Sequence, residues 1–110
     1  MTDQPWAVGD VPWHVWTESR FDSYDDVFTG SWTEAHDFLV RLLDWRVEVE
    51  KVTPYTEMRT GRIEYGCSSC VEWGTTQLSE LRALDGNRPY GGDVDGMEFY
   101  LLPDGEAPDA

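Results

Sequence analysis

The chain has 110 residues, with 22 Asp or Glu against 8 Lys or Arg, a formal charge of −14 at neutral pH. A field of that sign repels phosphate backbones and anionic headgroups, which excludes direct nucleic-acid binding and attachment to acidic membranes. Six Trp, five Tyr and four Phe supply the apolar area for a core in one domain spanning 1–110, which excludes a disordered polyanion.

Residues 1–10, with Pro5 and Gly9, read as an N-terminal arm. The run VPWHVWTE at 11–18 then alternates, with Trp13, Val15 and Thr17 on one side and His14, Trp16 and Glu18 on the other, which is a strand pattern. A polar connection leads to a short second strand at 27–29, completing a hairpin. Ser31-Trp32-Thr33-Glu34 is a capping box, and Trp32, Ala35, Phe38, Leu39, Leu42 and Leu43 follow at helical spacing, predicting a helix over about 31–44. Asp37 and Arg41 support it from the outer face.

RVEVEKV at 46–52 alternates again and reads as a half-buried strand, interrupted by Thr53-Pro54. The stretch from Pro54 to Gly61 reads as a loop and RTGRIEY at 59–65 as the next strand. Thr75 and Thr76 are placed to cap a short helix carrying Leu78, Leu81 and Leu84 and ending before Gly86. DGNRPYGGDVDG reads as a loop, MEFYLL at 97–102 as a last strand, and 103–110 as a frayed acidic tail. The expected fold is α+β in the order ββαββαβ: an antiparallel or mixed sheet of four to five strands with two helices packed on one face. The other face would then display His14, Trp16, Glu48, Glu50 and Glu64.

Cys67-Ser-Ser-Cys70 holds both cysteines of the chain. Zinc needs four ligands, and the remaining candidates, His14 and His36, lie 22 residues apart rather than at paired-ligand spacing. A redox pair needs its first thiol at a helix N-terminus. The helix is expected only after Gly74, and Glu64 and Glu72 would raise the thiol pKa, so the reading is a pair of partly buried thiols. Asp93-Val-Asp95-Gly96 has two acids in a calcium-loop arrangement but lacks a third ligand before the glycine and a Glu at the twelfth position. No phosphate-binding glycine loop, nucleophile elbow or His-Glu-x-x-His occurs, so no residue set supports an enzyme, and no cofactor is called for. No apolar run is long enough to span a bilayer and the first residues lack a secretion signal, which points to a cytoplasmic protein.

Charge is unevenly spread. Residues 1–40 hold eight acids and one base, 41–90 eight acids and seven bases, and 91–110 six acids and no base. Solubility of a small domain needs a net charge of only about 2–8. The excess at the two ends therefore points to a small acidic protein-binding module with a basic partner, the nucleic-acid-binding surface of a nuclease or effector. DNA-mimic inhibitors, anti-CRISPR and antirestriction proteins and immunity proteins share that physical logic; the analogy is one of charge, without a family motif. The expected docking residues are Glu18, Asp22, Asp25, Asp26, Asp93, Asp95 and Glu98, with Trp16 as aromatic anchor and Trp6 as a second. The alternative is a zinc-binding or redox accessory protein using Cys67 and Cys70, with His14 and His36 completing a metal site.

Overall fold

The computed structural model describes residues 11–18, 23–94 and 96–108. The expected N-terminal arm, Trp6, Asp22 and Asp95 lie outside the described residues. Six strands and two helices follow in the order β1 (Trp13–Glu18), β2 (Tyr24–Gly30), α1 (Trp32–Lys51), β3 (Pro54–Thr56), β4 (Ile63–Tyr65), α2 (Ser68–Ala83), β5 (Tyr90–Val94) and β6 (Met97–Pro103). The fold is α+β. Four strands form an antiparallel sheet in the order β2-β1-β6-β5, and β3 and β4 form a separate two-stranded hairpin.

α1 starts where the sequence places it. Ser31 Oγ accepts from the Glu34 amide at 3.2 Å and Glu34 Oε1 accepts from the Ser31 amide at 3.0 Å. Its end differs from expectation: residues 46–51 are the last turns of α1, not a strand. The alternation of Val47-Glu48-Val49-Glu50 fits a strand, but Val47 also continues the four-residue spacing of Ala35, Leu39 and Leu43, all buried. With no Gly or Pro before Thr53, the longer apolar stripe wins, and Pro54 then forces extended backbone. Glu48 and Glu50 therefore do not lie on the sheet. Glu48 pairs with Lys51 at 2.8 Å, and Glu50 is 2% exposed, with the Arg46 guanidinium 3.6 Å away. Glu64 sits on β4, in the small hairpin.

α2 begins at Ser68, seven residues before the expected start. Thr75 does not cap it; its hydroxyl donates to the Val71 carbonyl at 2.8 Å inside the helix. Gly74, expected to break the chain, is a close-packing position: a methyl there would stand 2.9 Å from Val47 Cγ2. The missing side chain is what lets α2 settle against α1. His36 donates from Nε2 to the Leu81 carbonyl at 2.6 Å, and Trp32 stacks on His36 at 4.6 Å, so the histidine of α1 fastens the two helices.

β1 runs from residue 13 rather than 11, and β2 over 24–30 rather than 27–29. The expected strand at 59–65 is confined to 63–65, while 54–56, expected as loop, pairs with it. β5 likewise forms where Tyr-Gly-Gly reads as loop. Residues 103–108 do not fray at their start: the Asp104 amide donates to the Pro12 carbonyl at 2.8 Å.

The core lies between the sheet and the helices. Trp13 and Val15 from β1, Phe99 and Leu101 from β6, and Val94 from β5 meet Leu39, Leu43, Leu78 and Leu81 from the helices. α1 covers β1 and β2, and α2 covers β5. Among the described residues the helices occupy one face and leave the other open. Among the described residues no helix is long and apolar enough to cross a membrane.

Candidate functional site

The alternation that buries Trp13, Val15, Phe99 and Leu101 sends their neighbours to the open face. Register then decides which of those neighbours meet. Asp26 lies opposite Trp16, and Trp16 opposite Tyr100, whose other neighbour is Gly91. One row along, Tyr24 lies opposite Glu18, and Asp93 opposite Glu98. The open face thus gathers Trp16, Glu18, Asp26, Asp93 and Glu98. Asp25 pairs with Thr17 and belongs to the helix-side register, where it is exposed at the sheet edge. A register irregularity between Val15 and Trp16 re-aims β2 and puts Asp26 rather than Val27 on the Trp16 row.

Three side chains that the sequence reading did not place there complete the face. Tyr24 and Tyr100 both donate to Glu98 Oε1, at 3.1 and 2.7 Å, with the two rings edge-to-face at 5.8 Å. Donation to the Glu98 carboxylate, followed by burial, pushes the Tyr100 phenol well above its ordinary value. Burial and then Glu98 raise that of Tyr24. Asp104 enters through His14: Nε2 of the ring stands 2.8 Å from Asp104 Oδ1, and Nδ1 stands 2.7 Å from Asp26 Oδ2 and 2.9 Å from the Thr29 hydroxyl. The imidazole holds two carboxylates at fixed positions.

Beside Tyr100 a depression of about 480 Å³ is lined by Gly91, Gly92, Asp93, Gly96, Glu98 and Tyr100. Gly91 leaves this space open beside the ring, and Gly92 makes room on the helix side. A methyl on Gly91 would stand 2.8 Å from the Tyr100 ring, and one on Gly92 would overlap Gln77 Oε1. Gln77, 1% exposed on α2, reads the edge of β5 as a neighbouring strand would. Its Oε1 accepts from the Asp93 amide at 2.9 Å and its Nε2 donates to the Asp93 carbonyl at 2.6 Å. The backbone under the Asp93 carboxylate is therefore clamped, and the exposed edge of β5 is occupied at that point. No local sequence signal marks Gln77 for this task.

The expected charge clustering can now be stated by element. The four strands of the large sheet carry Glu18, Asp25, Asp26, Asp93 and Glu98 and no Lys or Arg. α1 sets Arg41, Arg46 and Lys51 among its acids. Segregation by face, not the total of −14, is what distinguishes this surface.

The four candidate metal ligands do not assemble. His14 is on the open face between Asp26 and Asp104, His36 is bonded to Leu81 near the end of α2, and Cys67 and Cys70 are at its beginning. A helix rises about 1.5 Å per residue, so the thirteen residues from Ser68 to Leu81 separate Cys67 and His36 by roughly 20 Å. Among the described residues no three His, Cys, Asp or Glu side chains form a group that could hold a metal ion.

Cys67 precedes the first residue of α2, which overturns the premise on which redox chemistry was set aside. Its thiol is held below its ordinary pKa, chiefly by the Ser69 hydroxyl and then by the Cys70 amide and thiol. The expected influence of Glu64 and Glu72 does not prevail, because no acid occupies the first turn of α2 and the donors touch the sulfur.

No family model matches the chain, and comparison with curated proteins and with solved structures returns no match.

Proposed function

We propose that the open face of the four-stranded sheet is a docking surface for a basic protein. Its partner is the nucleic-acid-binding surface of a nuclease or effector, and the protein acts as an inhibitor of the DNA-mimic type in the cytoplasm, without catalysis. The observation that carries this reading is the segregation of charge: Glu18, Asp26, Asp93 and Glu98 share a face on a sheet whose strands contain no Lys or Arg. Carboxylates on a clamped backbone present fixed negative charge, as phosphates on a duplex do, and complementary charge speeds association and sets orientation. Trp16, Tyr24 and Tyr100 between the acids supply the apolar area that such a contact buries.

The test is displacement. A panel of purified DNA-binding nucleases is loaded with labelled duplex, and the protein is titrated in at about 50 mM and at about 500 mM salt. Release of duplex from one member at low salt, lost when Glu18, Asp26, Asp93 and Glu98 are changed to their amides, supports the reading. A matching helix-side set, Asp37→Asn, Asp44→Asn, Glu48→Gln and Glu72→Gln, all exposed, should leave release unchanged. Equal loss from both sets would show that bulk charge, not this face, is responsible.

A further inference from the structure

The junction between β4 and α2 brings two sulfurs together. Cys67 occupies the cap position of α2 and Cys70 its first turn; both are half-buried and they are not joined in a disulfide. Ser69 Oγ stands 3.3 Å from Cys67 Sγ, and the thiol lies below its ordinary pKa through that hydroxyl first and then through Cys70. The first amides of a helix lack partners within it and form the positive end of its dipole, so a sulfur at the cap lies in a field that favours thiolate. Residues three apart in one helical turn also lie within the Cα separation of roughly 4.4–6.8 Å that a disulfide accepts. Beside them Tyr55 keeps its phenol protonated, its pKa raised by burial first and then by the Cys67 sulfur. Tyr65 and Trp73, exposed on either side of the pair along the chain, offer apolar contact.

We propose that Cys67 and Cys70 are a redox-active dithiol that reduces accessible disulfides, with Cys67 as nucleophile and Cys70 as resolving thiol. The Cys67 thiolate attacks one sulfur of the substrate disulfide. A mixed disulfide forms, the substrate S–S bond breaks, and its electron pair leaves with the departing thiolate, which takes a proton. Cys70 then gives up its proton and attacks Cys67 Sγ, releasing the second substrate thiolate, which is protonated in turn. Two electrons and two protons pass to the substrate, and the protein is left with a Cys67–Cys70 disulfide. The assignment of roles follows from position: Cys67 holds the cap position with the Ser69 hydroxyl against its sulfur, while Cys70 follows in the first turn of the same helix. This activity is independent of the docking face, since neither cysteine lies on the four-stranded sheet.

The reduced full-length protein is incubated at neutral pH with oxidised glutathione, a small-molecule disulfide, and separately with a disulfide-linked peptide pair. Alkylation and intact mass measurement follow. The expected product is about 2 Da lighter, takes up no alkylating group and carries no adduct. Reaction with either substrate supports the proposal, and the faster one identifies the source of the disulfide. Cys70→Ser should accumulate a single adduct on Cys67. Cys67→Ser should react at least about tenfold more slowly, and Ser69→Ala should slow Cys67 several-fold with circular dichroism unchanged. Wild-type protein that reacts with neither substrate or keeps stable adducts on its cysteines would overturn the proposal, as would Cys67→Ser reacting as fast as Cys70→Ser.

Discussion

Replacing Gln77 by Ala removes the clamp that joins α2 to the edge of β5. Two hydrogen bonds to the Asp93 backbone are lost, at 2.9 and 2.6 Å. Each contributes about 0.5–1.5 kcal/mol net, and a group left unpaired under cover costs about 1–3 kcal/mol. Gln77 is 1% exposed, so its removal also leaves space against Phe99 and Gly92. The expected loss is about 2–4 kcal/mol. With an unfolding entropy of roughly 2.1 cal/mol/K per residue, that is a fall in Tm of about 9–17 °C for a chain of this length. Gln77→Leu separates the terms, since it restores apolar volume without the bonds and should recover only part of the loss. Gln77→Glu keeps the acceptor for the Asp93 amide but turns a carboxylate toward the Asp93 carbonyl, and should be no better than Ala at neutral pH. Urea denaturation gives the energies, and hydrogen exchange at the Asp93 amide reports the clamp directly. Ala and Leu variants both within about 0.5 kcal/mol of wild type, with Asp93 exchange unchanged, would refute the role assigned to Gln77.

Gly91→Ala places a methyl 2.8 Å from the Tyr100 ring and should cost about 1–3 kcal/mol in urea denaturation as the ring is driven off Glu98. His14→Ala leaves the Asp26 and Asp104 carboxylates without the ring between them. Both are partly exposed, so the expected loss is about 1 kcal/mol, read by thermal melting. Tyr90 is raised by burial and then Glu80, and Tyr100 by Glu98 and then burial, so both have folded pKa values above the unfolded value of about 10. Their contribution is fully present below pH about 10 and is lost as pH climbs from there through the folded values. Phenolate absorbance should therefore lag for these residues, and Tm should fall above pH about 10, less steeply in Tyr100→Phe.

The parts of this fold legible in the sequence were those encoded locally. The capping box fixed the start of α1 because both its partners lie within four residues, and alternation in β1 correctly separated Trp13 and Val15 from Trp16 and Glu18. The errors arose where two patterns coincide or where a partner lies far away. Val47-Glu48-Val49-Glu50 satisfies the strand period and the helix stripe together, and the longer stripe wins with Val47 buried against Gly74. Gly91 and Gly92 look like loop until Tyr100 lies over one and Gln77 approaches the other. The start of α2 was hidden because cysteine is not a customary cap and Gly74 imitates a stop. For the open face, sequence identified acids but not companions: that Asp26 meets Trp16 and Asp93 meets Glu98 follows from register, which no short stretch encodes.

The same distant contacts explain how the face holds several carboxylates without dispersing them. Like charges on adjacent strands repel, and the four strands offer no Lys or Arg to offset them. On Glu98 two phenols do so instead as neutral donors, while the His14 ring bridges Asp26 and Asp104 and Gln77 holds the backbone beneath Asp93. A Lys or Arg in place of the phenols would pin the Glu98 carboxylate equally well but cancel its charge. A hydroxyl or amide fixes position and leaves the field intact. Under the docking proposal that choice has a use, because a surface already ordered in the unbound protein loses little conformational freedom when a cationic partner arrives. Under that proposal the clamp on Asp93 supports the recognition surface although Gln77 itself is buried on the opposite side of the sheet.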